Sequence, residues 1–228
     1  MKPYRLLVFD WDGTLVDSRA SIVACMRLAL EEAGLNPPPD SVIAQIIGLG
    51  LQEAVGRLVP DATPPQRFLV TERYRLHYLR DAAETVCFFT GVVETLERLK
   101  EEGYLLGVAT GKSRRGLNHA LEWHEVTHLF DATGCADETR SKPHPQMLIE
   151  LMERLAVAPR QTLVIGDTEF DLLMAANAGV DGVAVTCGVH ERERLLECRP
   201  LACLADVTAL PSWLESGARG PESTQAER

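Results

Sequence analysis

The segment FDWDGTLVDS places two carboxylates, Asp10 and Asp12, two positions apart where a short apolar run ends. Side chains two apart in extended chain point the same way, so both can face one site. Two like charges held together are unfavourable without a compensating cation, and the pair therefore points to a metal. Gly13 lets the backbone turn away sharply and Thr14 can bond locally, although the same residues also fit a strand that ends in an Asx-type turn. In VATGKS, Thr110 closes another apolar run and Gly111 begins a turn into a helix from Ser113. A hydroxyl and free N–H groups at such a turn suit phosphate oxygens, or Thr110 simply caps the helix.

Two further segments carry charge. In SKPHPQ, Lys142 precedes a proline that stiffens the approach, and Pro145 opens a helix. A positioned ammonium would offset phosphate charge and keep a nucleophilic carboxylate ionised; the alternative is a solvated surface lysine. His144, flanked by prolines, makes no ligand set. In VIGDTEFDLLMAANAG, Asp167 ends a buried run and Asp171 follows four residues later near a helix start. Clustered carboxylates are what magnesium prefers, while Asp171 also fits a capping role favoured by the helix dipole. Together these groups supply the parts that phosphoryl transfer to a carboxylate needs.

Their placement depends on the elements around them. The apolar runs at Arg5–Phe9, Tyr104–Ala109, Leu129–Thr133, Thr162–Ile165 and Gly182–Val185 read as strands, separated by helical patterns such as Val92–Glu102 and Pro145–Leu155. Alternation of this kind calls for a parallel, Rossmann-like α/β sheet with helices on both sides. Each candidate group then falls at or just beyond the carboxyl end of a strand, where such sheets bind ligands.

Residues 16–88 interrupt the alternation with helical patterns and no convincing strand. Ile22, Met26, Ala29, Leu30 and Ala33 follow helical spacing up to a stop at Gly34, and Val70, Tyr74 and Tyr78 lie four apart in a second helix over Thr63–Asp81. The expected organisation is a core of residues 1–15 and 89–214, a small helical insertion at 16–88 and a disordered tail at 215–228.

Composition narrows the class of function. A formal net charge of −10 argues against a stable nucleic-acid complex. The six cysteines show no metal-site spacing and fit free thiols in a reducing compartment. Without an apolar run of about 18 residues or a leader pattern, a cytoplasmic protein with no membrane partner is expected, as a monomer or homodimer.

In order and context, D-x-D-G-T, a strand ending in Thr, a Lys and G-D-x-x-x-D resemble the motifs of the haloacid dehalogenase superfamily, and the resemblance extends from about Leu6 to Ala209. DWDGTLVDS, SKPHP and the position of the insertion most resemble the phosphoglycolate phosphatase-like branch, in which the insertion is a type C1 cap. The resemblance implies that Asp10 attacks phosphorus and becomes an aspartyl phosphate. Asp12 would protonate the leaving alkoxide and later deprotonate water. Thr110 and the backbone N–H groups of Trp11 and Gly111 would bind phosphoryl oxygens, and Lys142 would stabilise the transferring charge. Mg2+ would be held by Asp10, the backbone carbonyl of Asp12 and Asp167, with Asp171 acting mainly through water. Asp12 disfavours dehalogenation, since dehalogenases of the superfamily lack that carboxylate. Gly111 stands where many relatives carry Asn.

The expected substrate is a small phosphorylated metabolite, with 2-phosphoglycolate first by resemblance. A sugar phosphomutase of the β-phosphoglucomutase type, a pyrophosphatase or nucleotidase, and a non-catalytic interaction protein are the alternatives. Selectivity is expected in the cap, above all at IGLGLQEAV. There Gly48 and Gly50 precede a helix whose free N–H groups could bind a substrate carboxylate or second phosphate, unless the loop is only a flexible interhelical turn. Arg57, Arg73, Arg75 and Arg80 are candidate cations or solvated helix charges, and Trp11 either lines the pocket or packs.

Overall fold

The LLVF run forms a central strand because each of its faces has a core to enter. Leu7 and Phe9 bury on one side and Leu6 and Val8 on the other, in two separate apolar clusters. A strand buried on both faces reads as a continuous apolar run rather than an alternation. In the computed structural model, which describes residues 3–82 and 85–217, the chain begins with β1 (Leu6–Phe9), β2 (Val16–Asp17), α1 (Arg19–Glu32), α2 (Asp40–Ala44), α3 (Leu51–Leu58), α4 (Pro64–His77) and β3 (Cys87–Phe88). It continues with α5 (Val92–Glu101), β4 (Leu105–Thr110), α6 (Arg114–Trp123), β5 (Ala132–Cys135), α7 (Gln146–Leu155), β6 (Thr162–Gly166) and α8 (Glu169–Asn177). The last elements are β7 (Asp181–Val185), α9 (Arg192–Glu197), β8 (Ala202–Leu204) and α10 (Leu210–Glu215).

Six strands form a parallel sheet in the order β5-β4-β1-β6-β7-β8. Residues of α5, α6 and α10 cover the face that buries Leu7 and Phe9, and residues of α7 and α8 cover the face that buries Leu6 and Val8. The α/β, parallel-sheet expectation therefore holds. Strands added after β1 extend the sheet first to one side, through β4 and β5, and then to the other, through β6 and beyond. β1 thus lies at the switch point, where the loops beyond the carboxyl ends of neighbouring strands part and leave a crevice.

Between β2 and β3 lie α1 to α4 and a π-helical turn at Tyr78–Ala82 that continues α4. Ile22, Met26, Ala29 and Leu30 of α1 pack with Ile43, Val55, Val70 and Tyr78 in a second cluster that also takes in Val189 from the loop after β7, and Ile46, Leu49 and Ala54 pack against Phe170 of α8. Gly34 closes α1 at φ +70°, with the Leu35 N–H reaching the Leu30 carbonyl at 3.0 Å. Thr63 and Gln66 form a capping box and Pro64 takes the first turn of α4, which accounts for the Pro64-Pro65 pair.

Four expectations need correction. β2 and β3 pair antiparallel within the interval read as strand-free; at two residues each they are too short to show a period. The strand expected at Leu129–Thr133 begins at Ala132, because Thr127–Leu129 form a 3-10 turn. β8 was not expected, being three half-buried residues. α10 runs through Glu215 into the segment expected to be a tail; residues 218–228 lie outside those described.

Candidate active site

Asp10 follows β1, Thr110 ends β4 and Asp167 follows β6, so three adjacent strands deliver them to one edge of the sheet. Lys142, in the loop after β5, reaches the same point. Its ammonium donates to Asp10 Oδ1 at 2.7 Å and to Asp171 Oδ1 at 2.6 Å, and its side chain is fully buried. The surface-lysine alternative is thereby excluded. Asp171 also accepts from the N–H and hydroxyl of Thr168 at 3.1 and 2.7 Å, so it caps α8 while facing the cluster. Asp167 accepts from the Thr14 hydroxyl at 2.7 Å and the Val189 N–H at 2.9 Å.

One oxygen from each of Asp10, Asp167 and Asp171 lies within 4.8 Å of the others, and all three residues are buried. Three carboxylates against the one ammonium of Lys142 leave an excess of buried negative charge, which is costly without a counter-ion. The acidities reflect that excess. Burial pushes the Asp10 carboxyl well above its ordinary range, with Lys142 opposing and Asp171 and Asp167 adding to the rise. Burial, reinforced by Asp171, raises Asp167 to about 7. Asp10 Oδ2 is buried without a hydrogen-bond partner. An oxygen-only donor set with uncompensated charge is what fits a hard divalent cation such as magnesium.

The turn after β1 is shaped around this cluster. Gly13 has φ +89°, and a Cβ there would collide with the Asp167 carboxylate. Trp11, between the two aspartates, does not line the cavity. Its ring packs edge-on against Phe88 of β3 at 5.5 Å and tilts against Phe130 at 6.2 Å.

Asp12 faces the other way, into a cavity of about 470 Å3 between the sheet edge and the α1–α4 segment. Gly48, Leu49 and Gly50 form one wall, Ile22, Met26, Tyr74 and Tyr78 another, and Gly111, Lys112, Ser113 and Ser141 the floor. Asp10, Thr110 and Lys142 are not among the lining residues, so the cavity lies on the Asp12 side of the nucleophile. Gly50 gives its N–H to the Ser141 hydroxyl at 2.8 Å, next to Lys142. A Cβ at Gly111 would strike the Leu49 carbonyl oxygen, so the missing side chain is what lets this loop seat against the end of β4.

The residue that sequence reasoning missed is Lys112. Its side chain is 8 % exposed and its ammonium lies 3.1 Å from Asp12 Oδ1, an ion pair without hydrogen-bonding geometry. It donates to the Tyr78 hydroxyl at 2.7 Å and sits 4.2 Å from that ring's centre. Burial works against its charge, but Asp12 and Tyr78 outweigh it and hold its pKa above the ordinary lysine value. Burial likewise raises the Tyr78 phenol, and Lys112 only partly offsets this. Three of the four anticipated arginines are paired with helix carboxylates, Arg57 with Glu53, Arg73 with Glu32 and Arg75 with Glu72. Of these three, only Arg75 also lines the cavity. The available signal was a lysine two residues after Thr110, in the turn that the strand end must form.

Residues 7–185 match the family described as haloacid dehalogenase-like hydrolase. Among curated relatives, a probable phosphatase, IndB, of Dickeya dadantii is 36% identical over 206 residues, covering 88% of each chain. A phosphoglycolate phosphatase of Mannheimia succiniciproducens is 32% identical over 206 residues, covering 86% of this chain and 92% of its own. Among solved structures, a hydrolase from Pseudomonas syringae superposes with a TM-score of 0.86 at 25% identity, covering 95% of this chain and all of that one.

Proposed function

The chain belongs to the haloacid dehalogenase-like hydrolases, and on that premise we propose that it hydrolyses a small phosphomonoester through an aspartyl phosphate on Asp10, with 2-phosphoglycolate as first candidate. The single observation that carries this reading is the buried group Asp10, Asp167, Asp171 and Lys142, gathered where three strands end beside the Asp12 cavity. No simpler structural role accounts for so much desolvated charge with one carboxylate oxygen left unpaired.

In this reading the Lys142 ammonium keeps Asp10 ionised and aims its free Oδ2 at phosphorus. Thr110 accepts from the Lys112 backbone N–H at 3.2 Å and keeps its own hydroxyl proton for a phosphoryl oxygen, alongside the backbone N–H groups of Trp11 and Gly111. Asp12, on the cavity side, gives a proton to the departing oxygen and then takes one from the water that opens the acyl phosphate. Magnesium would be held by Asp10, Asp167 and the backbone carbonyl of Asp12, with Asp171 acting through water. Bound there, it would neutralise charge on the phosphoryl oxygens. We take the α1–α4 segment as the cap, which shields the reacting groups from water, with the loop at Gly48 and Gly50 contacting substrate.

Phosphate release is the test, measured on 2-phosphoglycolate, sugar phosphates, nucleotides and pyrophosphate with magnesium or with EDTA. Turnover that requires magnesium and disappears in Asp10→Asn is the expected result. A folded wild-type chain that releases no phosphate from any of them would overturn the reading.

A further inference from the structure

We infer that Lys112 and Tyr78 together recognise a second anionic group, a carboxylate or a phosphate, carried by the leaving-group side of the substrate. The inference rests on the phosphatase reading and deepens it, by naming the substrate class and the residues that select it.

Position comes first. The cavity meets the sheet edge at Asp12, Gly111, Lys112 and Ser113 and leaves Asp10 behind it, so whatever fills it lies beyond the scissile bond. Lys112 stands 3.1 Å from Asp12, the group that would face the bridging oxygen. An anion paired with Lys112 must therefore sit within a few bonds of that oxygen.

Donor capacity comes next. An ammonium carries three protons. One goes to the Tyr78 hydroxyl, and the approach to Asp12 is an ion pair without hydrogen-bonding geometry. Lys112 therefore keeps donor capacity inside a desolvated pocket, where a charge-assisted bond is strong. The Tyr78 hydroxyl accepts from Lys112 and keeps its own proton, so the two side chains present donors to the same volume. Arg75, the other cation in the lining, is 42 % exposed and committed to Glu72 at 2.6 Å. The lining also includes Ile22, Met26, Ile46 and Ile47, apolar surface that offers nothing to a row of sugar hydroxyls.

The pair also spans two parts of the chain. Lys112 belongs to the loop after β4 and Tyr78 to the turn that continues α4, so the recognition point exists only when those parts are together.

The test is the ratio of kcat/KM values for 2-phosphoglycolate, pyrophosphate and ethyl phosphate, the last lacking a second anion, with magnesium and the full chain. Wild type is expected to favour at least one of the two anionic substrates over ethyl phosphate by about 100-fold, and the substrate with the larger ratio distinguishes carboxylate from phosphate. Lys112→Met should shrink that ratio by about 10- to 100-fold, mainly through KM. Lys112→Arg should restore part of it, and Tyr78→Phe should shrink it by about 5-fold. If Lys112→Met does not fold, as judged by circular dichroism, the Tyr78→Phe ratio decides. An unchanged ratio, or an equal fall for all three substrates, would assign Lys112 to supporting Asp12 alone and overturn the inference. Turnover of sugar phosphates or nucleotides with none of these three would likewise overturn the inference, whereas failure of wild type on the whole panel would instead remove the phosphatase reading beneath it.

Discussion

The two sides of Asp12 are built by opposite rules. On the nucleophile side, Asp10, Asp167 and Lys142 come from loops at one edge of the sheet and Asp171 from the first turn of α8; all four are fully buried, Lys142 bridges Asp10 and Asp171 at 2.7 and 2.6 Å, and Asp167 is fixed by Thr14 and Val189. On the cavity side, the walls come from segments that meet only across an interface, and the contacts are a few polar points set in apolar surface. Groups that do the same chemistry on every substrate can be locked in advance. Groups that must choose a substrate need space and unspent donors.

That contrast can be broken at graded cost. Asp10→Asn should lower turnover by about 10^4-fold or more while leaving the fold intact, read by phosphate release and circular dichroism. Lys142→Met leaves buried carboxylates without their ammonium and should destabilise the chain by about 3–5 kcal/mol in EDTA, measured by urea unfolding, with magnesium restoring part of the loss. Magnesium at about 100 times its Kd should stabilise the wild type by about 2.7 kcal/mol, and Asp167→Asn should abolish most of that gain. Gly111→Ala, on the cavity side, should push the Leu49 carbonyl away and cost about 1–3 kcal/mol, with turnover falling about 10-fold. A larger effect from Gly111→Ala than from Lys142→Met would reverse the proposed division of labour.

The same contrast sets how much could be read from sequence. β1, β4 and β6 are apolar runs buried on both faces, and the residues ending them carry chemistry in short local motifs, so Asp10, Thr110 and Asp167 were legible together. Lys112 was not, because its role depends on Tyr78, which is 34 positions away and reaches it through a π-helical turn that shows no distinctive period. Tyr78 shares a helical spacing with Val70 and Tyr74, but spacing does not reveal which hydroxyl meets Lys112. Gly111 was legible as a turn residue and backbone donor standing where many relatives carry Asn, but the reason for its missing side chain, the Leu49 carbonyl packed against it, was not. β2, β3 and β8 escaped notice because two or three residues cannot display alternation.

β2 and β3 mark where the α1–α4 segment leaves the sheet layer and rejoins it. They pair Val16 with Phe88 and Asp17 with Cys87, so the chain departs from the sheet layer and returns to it through a single seam one strand-spacing wide. Among the described residues, none of the six strands of the main sheet draws a hydrogen-bonded neighbour from between them. The α1–α4 segment is therefore a cassette. A lineage could exchange it for another insert, or shorten it to a turn, and still close the same sheet around the same aspartates, so that the choice of substrate and the capacity for chemistry can evolve on separate clocks.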